Sequence, residues 1–205
     1  MDYSFLIKSF IALFVIIDPV GGAPFFLSIT AGYTREERKR IAFKACITAF
    51  IVLSLFLFIG KNIFSLFQIS VSSFKIAGGI LLFLTGIEML FGKIRQAKAS
   101  QEEAVKGIKK DDVSIVPLGI PYLAGPGAIT TVIIFSQQAD FIGKIFIWLN
   151  LFIICALTYF TFCKAEKIFN LLGELGTKAL IRILGLLLTT IAVEYIVHGI
   201  KESFF

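Results

Sequence analysis

The chain has 205 residues, of which 57% are hydrophobic and 17% charged, with 23 phenylalanines and a formal net charge of +6. It is far more apolar than a soluble globular domain, which indicates an integral membrane protein. The basic residues lie beside apolar segments rather than in a basic folded domain, so nucleic-acid binding is excluded as the reason for the positive charge.

Six apolar segments follow one another along the chain and predict six membrane-spanning helices. The third and sixth are shorter than the roughly 20 residues that a span needs, and flanking Lys or Arg side chains reaching to the membrane surface would extend them. A cleaved signal peptide is rejected for the first, because its apolar run resumes at Phe25. The segments cover residues 5–29, 41–59, 76–91, 113–135, 145–162 and 183–197.

Prolines and glycines interrupt the first and fourth segments, where continuous membrane helices are expected. Proline removes a backbone donor and clashes with the preceding turn, and glycine weakens a helix further. In hydrocarbon the freed backbone groups are tolerated only against protein or a polar cavity. Two matching breaks therefore predict a substrate site near the membrane midplane. They read Asp18-Pro19-Val20-Gly21-Gly22-Ala23-Pro24 and Pro117-Leu118-Gly119-Ile120-Pro121-Tyr122-Leu123-Ala124-Gly125-Pro126-Gly127.

The loops between the segments differ strongly in basic residues. Of the 20 Lys and Arg residues, 15 lie in 30–44, 92–112 and 163–182. The positive-inside rule places these loops in the cytoplasm and both termini outside.

Thr34 and Glu37 have the spacing of a capping box that opens the second helix.

A weak internal repeat relates the two halves of the chain. A shift of 106 residues superposes Gly79 on Gly185 and Glu88 on Glu194. Three spans in each half is an odd number, so the halves must have opposite orientations, as in the inverted repeats of many secondary transporters. The predicted fold is therefore an all-α membrane protein with an inverted 3+3 repeat and broken helices 1 and 4. Its parts are residues 1–92, a cytoplasmic linker at 93–112 with partial helix around 96–105, and residues 113–205.

The breaks are also expected to expose backbone donors. A helix that restarts at a proline presents free N–H groups and the positive end of its dipole, which suit a carboxylate. An alternative is that the glycines and prolines only let helices pack closely. The predicted donors are the amides of Gly127, Ala128 and Ile129 after Pro126, those of Phe25 and Phe26 after Pro24, and those around Gly21 and Gly22.

Three acidic residues within apolar segments are candidates for coupling or gating. A charge near the middle of a span is costly, so Asp18 is expected to bind a substrate ammonium or to carry a coupling proton. The alternative is that Asp18 is the N-cap of a half-helix starting at Pro19. Glu88 and Glu194 share a repeat position and could gate or pair with a basic residue. The alternative is that they reach to the membrane surface.

The motif around Asp18-Pro19-Val20-Gly21 and Pro24-Phe25-Phe26-Leu27, with Pro121 and Gly125-Pro126-Gly127-Ala128-Ile129, resembles the MarC family of prokaryotic inner-membrane proteins over nearly the whole chain. The resemblance implies a multi-pass protein of the cytoplasmic (inner) membrane. Some members are similar to transporters that move glycine and alanine with a cation gradient.

We therefore expect a secondary transporter of small neutral amino acids, coupled to protons or sodium. The alternatives are an exporter of another small solute and a non-transporting membrane scaffold. The partners would be the amino acid, a coupling cation and membrane lipids, and assembly into a homo-oligomer is left open. One histidine and three cysteines give no metal-ligand spacing, and neither an enzyme nor a cofactor is expected. The expected substrate-binding residues are Asp18, Pro19, Gly21, Gly22, Pro24, Gly125, Pro126, Gly127, Ala128, Thr130 and Thr131.

Overall fold

A computed structural model of the chain describes residues 3–67, 70–91 and 113–204. These residues form helices joined by short turns, with no strand among them. The linker at 93–112, with the helix expected around 96–105, lies outside them. An irregular segment, Ser114–Leu123, precedes the fifth helix. The helices are α1 Tyr3–Ile17, α2 Ala23–Ile29, α3 Arg35–Phe67, α4 Val71–Phe91, α5 Pro126–Gln138, α6 Phe141–Cys163 and α7 Ala165–Phe204.

Four stretches are long and apolar enough to cross a membrane: Arg35–Gly60, Ser72–Phe91, Phe141–Cys163 and Ala165–Phe204. Their outward faces expose large apolar side chains, such as Leu84 at 53% and Phe152 at 56%. Such faces are suited to lipid and not to water. The first and fourth apolar segments are each divided by a break, so neither forms a single helix of that length. The prediction of a multi-pass membrane protein is confirmed.

The third and sixth segments form longer helices than their apolar runs predict. Helix α4 begins at Val71, five residues before the apolar run, and α7 extends from Ala165 to Phe204. The Lys75 side chain, near the start of α4, is 6% exposed and forms a salt bridge with Glu202 of α7. A charged pair therefore ties the start of α4 to the end of α7.

The starts of α3 and α6 are fixed by side-chain caps. The Glu37 amide donates to Thr34 Oγ1 over 3.3 Å, and the Thr34 amide donates to Glu37 Oε2 over 2.8 Å. This reciprocal pair confirms the predicted capping box. At the start of α6, the Gly143 amide donates to Asp140 Oδ1 over 2.8 Å. Both caps satisfy amides that a helix start leaves without intrahelical partners.

Helices α4 and α7 cross antiparallel with their backbones in contact. A Cβ atom added to Gly86 would lie 2.9 Å from the Gly185 carbonyl, and one added to Gly185 would lie 2.9 Å from the Gly86 carbonyl. A Cβ on Gly79 would likewise lie 2.9 Å from the Ala192 carbonyl. Small residues are needed here because any side chain would separate the helices.

The main hydrophobic core lies among α1, α2, α3, α5, α6 and the Ser114–Leu123 segment. Fully buried leucines such as Leu13, Leu53, Leu118 and Leu151 come from four of these elements. The Ser114–Leu123 segment and α5 both pack on α3, while α1 packs on α5 and α6. Both broken segments are therefore held in the middle of the protein.

Candidate functional site

The first break begins where α1 ends, at Asp18. Its φ of +51° is left-handed, which ends the helix and which Asp tolerates better than most residues. The side chain is 8% exposed, and Oδ1 accepts a hydrogen bond from the Gly21 amide over 2.9 Å. The Asp18 carbonyl accepts from the Gly22 amide over 3.0 Å. The Asp18 side chain thus caps the turn that follows α1. Residues 19–22 form this turn and α2 begins only at Ala23, so the predicted N-cap of a half-helix starting at Pro19 is wrong.

Two glycines are required by close contacts at this turn. A Cβ added to Gly21 would lie 2.7 Å from Cγ of Asp18, inside the carboxyl group. A Cβ added to Gly22 would lie 2.8 Å from the Tyr122 hydroxyl and 3.2 Å from the Phe162 ring. The turn is therefore filled on one side by its own carboxylate and on the other by aromatic residues.

The prediction of free amides at the first break is wrong for three residues. The Gly21 and Gly22 amides donate to Asp18, and the Phe26 amide donates to the Gly22 carbonyl over 2.9 Å. Helix α2 begins at Ala23, so Pro24 is its second residue and not its first. The first break therefore presents a buried carboxylate and not a helix start with free donors.

The second break is produced by prolines acting on the residues before them. Val116 (φ −125°, ψ 122°) and Ile120 (φ −136°, ψ 127°) are extended, and each precedes a proline. The proline ring disfavours helical geometry in the preceding residue. Around these residues, backbone hydrogen bonds span five residues instead of the four of an α-helix. The Leu118 amide donates to the Val113 carbonyl, and the Ala124 amide donates to the Gly119 carbonyl over 2.9 Å. The chain is thus too irregular here to continue as an α-helix.

Helix α5 restarts with the predicted proline. Gly125 is the N-cap in an extended conformation, and Pro126 is the first helical residue. The first bond of the helix runs from the Ile129 amide to the Gly125 carbonyl over 3.0 Å, so the prediction of a free amide at Ile129 is wrong. The amides of Gly127 and Ala128 precede that first bond. Gly125 has no side chain to cap them, which leaves two backbone donors at the positive end of α5.

The structure brings the two breaks together. The Tyr122 ring, from the second break, stacks on Phe25 of α2 with centroids 4.6 Å apart. Its hydroxyl lies against Gly22 and is close enough to the Asp18 carboxylate to interact with it electrostatically. A Cβ added to Gly127 would lie 2.8 Å from Cδ1 of Ile16, in the last turn of α1. Residues about 100 positions apart thus form one site.

The end of α6 also contacts this site, at the first break and at α2. Thr161 Oγ1 donates to the Pro19 carbonyl over 2.9 Å, and the Phe162 ring stacks on Phe26 at 4.7 Å. The substrate-binding residues predicted from the sequence do not include Tyr122, Thr161 or Phe162. In a chain with 23 phenylalanines and many threonines, no local pattern distinguishes these residues from packing side chains.

The remaining predicted residues differ in how the structure places them. Thr130 and Thr131 are buried on α5, and Thr131 Oγ1 donates back to the Gly127 carbonyl over 2.9 Å. Pro126 is exposed at the start of α5, with Gly125 and Gly127 half-buried beside it. The second break is therefore more open than the first, where Pro19, like Asp18, is buried.

Glu88 and Glu194 are not brought to the breaks. Both are exposed on the outer surfaces of α4 and α7, whereas Asp18 is buried. Glu194 Oε1 lies 3.1 Å from Nε2 of His198, one turn later on the same helix. The structure therefore places the three acidic candidates in two different environments.

Comparison with known proteins gives a match over almost the whole chain. A family model described as "MarC family integral membrane protein" matches residues 3–204. The UPF0056 membrane protein MJ1677 of Methanocaldococcus jannaschii is 38% identical over 99% of both chains. YvbG of Bacillus subtilis is 37% identical, over 100% of this chain and 98% of its own. YhcE of Escherichia coli is 35% identical, over 99% and 95%. No solved structure matches the chain.

Proposed function

The chain belongs to the MarC family of integral membrane proteins, and we propose that it is a secondary transporter of small neutral amino acids such as glycine and alanine. One observation carries the proposal. The two breaks meet inside the protein: Tyr122 of the second stacks on Phe25 after the first, and Gly127 at the uncapped start of α5 contacts Ile16 in the last turn of α1. One break contains the buried Asp18 carboxyl group and the other the positive end of a helix dipole, a pair of groups that fits a zwitterion.

The two breaks divide the recognition of that zwitterion between them. The substrate ammonium would face the buried carboxyl group of Asp18. The substrate carboxylate would face the amides of Gly127 and Ala128, at the positive end of α5. Contacts already crowd Gly21 and Gly22, which favours a substrate with a small side chain. Thr130 and Thr131 would support the helix start from within α5.

Coupling to a cation gradient is assigned to Asp18. A buried carboxyl group can carry a proton across the membrane or balance the charge of a sodium ion. Ionisable residues within membrane spans are energetically costly and commonly have such a function. Glu88 and Glu194 lie outside the site, so a gating role for them would be exerted at the protein surface.

The architecture proposed for this transporter is six spans in an inverted 3+3 repeat. Helices α1 and α2 form the first broken span, and Ser114–Leu123 with α5 forms the fourth. The close contacts Gly79–Ala192 and Gly86–Gly185 support it, because a shift of 106 residues exchanges the two pairs. The distribution of Lys and Arg places both termini outside. Rocking of one half against the other would then give alternating access.

A second observation supports the same repeat. Thr34 and Asp140, the capping residues of α3 and α6, are also related by a shift of 106 residues. Helices that begin at equivalent positions in the two halves are what a repeated three-helix unit requires.

The test is uptake of labelled alanine and glycine into proteoliposomes, with and without imposed proton and sodium gradients. Wild-type protein should accumulate both in a gradient-dependent way. Asp18→Asn should fold, because the amide oxygen still accepts from Gly21 and Asn tolerates positive φ. It should lose gradient-driven accumulation. Asp140→Asn is the matched control, since Asp140 is also a cap but lies exposed at the start of α6.

The outcomes separate the parts of the proposal. Unchanged coupled uptake by D18N would remove Asp18 from the mechanism. No accumulation by folded wild-type protein inserted in both orientations would reject amino-acid transport. An exporter of another small solute would then be sought by counterflow against a metabolite panel, and failure there would favour a membrane scaffold.

A further inference from the structure

Helix α7 bends sharply at Gly173, far along the chain from the breaks. Gly173 has φ 64° and ψ 179°, a conformation that is essentially restricted to glycine. A Cβ added there would meet no atom within 4 Å, so the bend lies on an open surface. The leucines on either side, Leu171 and Leu175, are 87% and 83% exposed. No other large apolar side chain among the described residues protrudes as far, including those on the spanning helices.

Basic residues accompany each leucine at helical spacing. Lys164 and Lys167 precede Leu171 by seven and four residues, and Lys178 and Arg182 follow Leu175 by three and seven. Within α7 this spacing places Lys167 on one helix face with Leu171, and it places Lys178 and Arg182 on one face with Leu175. Lys164 lies in the turn immediately before α7. Each side of the bend thus carries one leucine and two cations, all exposed. We call this surface the Gly173 bend; it consists of Lys164, Lys167, Leu171, Leu175, Lys178 and Arg182 around Gly173.

Among the residues that the structure describes, most of these cations have no acidic partner. Lys178 Nζ lies 2.9 Å from the Glu174 carboxylate. Over the residues that the structure describes, no ion pair involves Lys164, Lys167 or Arg182, and Glu166, the nearest other acid in sequence, pairs with Arg38 instead. The bend therefore presents uncompensated positive charge next to protruding apolar groups.

The position of the bend relative to the membrane follows from the same contacts. The Arg38–Glu166 pair holds the start of α7 beside the start of α3, so both are on one side of the protein. The loops at 30–44 and 163–182 are two of the three basic loops, which the positive-inside rule places at the cytoplasmic leaflet. The apolar run of α7 begins immediately after the bend, at Ile183.

We propose that the Gly173 bend is a binding surface for anionic phospholipids of the cytoplasmic leaflet. Leu171 and Leu175 insert at the boundary between headgroups and acyl chains, and the lysines and arginine contact phosphate groups. Apolar side chains beside cations are the combination that binds an anionic membrane surface, and each cation adds to the attraction. This inference does not depend on transport activity.

The first experiment counts bound lipid by native mass spectrometry of the full chain, extracted from bilayers of phosphatidylcholine mixed with phosphatidylglycerol. The variant K164Q/K167Q/R182Q should bind phosphatidylglycerol at least about tenfold more weakly than wild type. The matched control K8Q/K144Q/K201Q removes the same charge from the opposite side and should bind it like wild type. Equal binding by wild type and both variants, or equal loss in both, would overturn the proposal.

The second experiment measures where Leu171 lies. A spin label is attached to L171C in a variant with Ala at Cys46, Cys155 and Cys163, reconstituted in the same lipid mixture. The label should be accessible to oxygen and shielded from a water-soluble nickel complex. Accessibility to nickel would place the bend in water, and shielding from both would show a second copy or another protein covering it. Either result overturns lipid binding, and if this variant does not fold, the mass-spectrometric comparison decides alone.

Discussion

The two helix breaks differ in how the chain leaves one helix and enters the next. At the first, the buried Asp18 carboxyl group accepts a hydrogen bond from the Gly21 amide of the turn, and the chain resumes in the seven-residue helix α2. At the second, Val116 and Ile120, each of which precedes a proline, are extended. The chain then resumes in the 13-residue helix α5, whose N-cap residue, Gly125, has no side chain. The first break is closed and contains a buried acidic side chain, whereas the second is partly open and leads into a helix start that no side chain caps.

This difference shows why a pair of unlike breaks can form a site that a pair of like breaks could not. Two carboxylate-capped turns in contact would repel each other, and two free helix starts would both attract anions. One of each gives a dipolar environment. Substitutions in the two breaks would show whether the first is rigid and whether the second accommodates a larger side chain more easily.

The largest effect is expected from Gly21→Ala. The new methyl group would overlap the Asp18 carboxyl group, which cannot move without losing its bond to the Gly21 amide. We expect a loss of about 3 kcal/mol in the free energy of unfolding. Gly127→Ala is the equivalent change at the second break, where the neighbours are side-chain ends of Ile16 and Leu82 that can shift. It should cost less than about 1 kcal/mol.

Denaturant titration of both variants in detergent measures this difference. Equal losses in G21A and G127A would show that the two breaks are equally rigid.

A smaller effect is expected when the Asp18 side chain is removed. Asp18→Ala leaves the buried Gly21 amide without its acceptor and places alanine at positive φ, which together should cost about 2 kcal/mol. Asp18→Asn retains an acceptor and should cost less than about 1 kcal/mol. Thermal unfolding of the two variants, monitored by circular dichroism, gives the comparison. If D18A were as stable as D18N, the carboxylate would not hold the turn.

The smallest effect concerns the contact between the first break and α6. Thr161→Val removes, at nearly constant volume, a hydroxyl that lies 2.9 Å from the Pro19 carbonyl and 2.8 Å from the Thr158 carbonyl one turn earlier. We expect a loss of about 1 kcal/mol in the free energy of unfolding. Thr190→Val is the control, because Thr190 Oγ1 bonds only within its own exposed helix turn on α7. The same denaturant titration should find T190V close to wild type. A loss in T190V as large as in T161V would mean that the Pro19 contact contributes nothing specific.

Much of the architecture could be predicted from local sequence. Apolar length predicted the four stretches that are long enough to cross a membrane, Thr34 and Glu37 predicted the start of α3, and Pro126 predicted the start of α5. Each rests on interactions within a few residues. The amides that were wrongly predicted to be free are those of Gly21, Gly22, Phe26 and Ile129. Their hydrogen bonds depend on the exact residues where each helix ends and restarts. Pro24 and Pro126 look alike in sequence, yet only Pro126 begins a helix.

The amino-acid sequence is sufficient to identify a membrane protein whose first and fourth apolar segments are interrupted, because proline, glycine and apolar length act locally. Three features depend on how the helices pack: the contacts of Tyr122 with Phe25 and Gly22, the contact of Thr161 with the Pro19 carbonyl, and the outward position of Glu88 and Glu194. Those contacts join residues roughly 100 or more positions apart or depend on which face of a helix is covered. Close packing of whole helices sets them, and no short stretch of sequence records that packing.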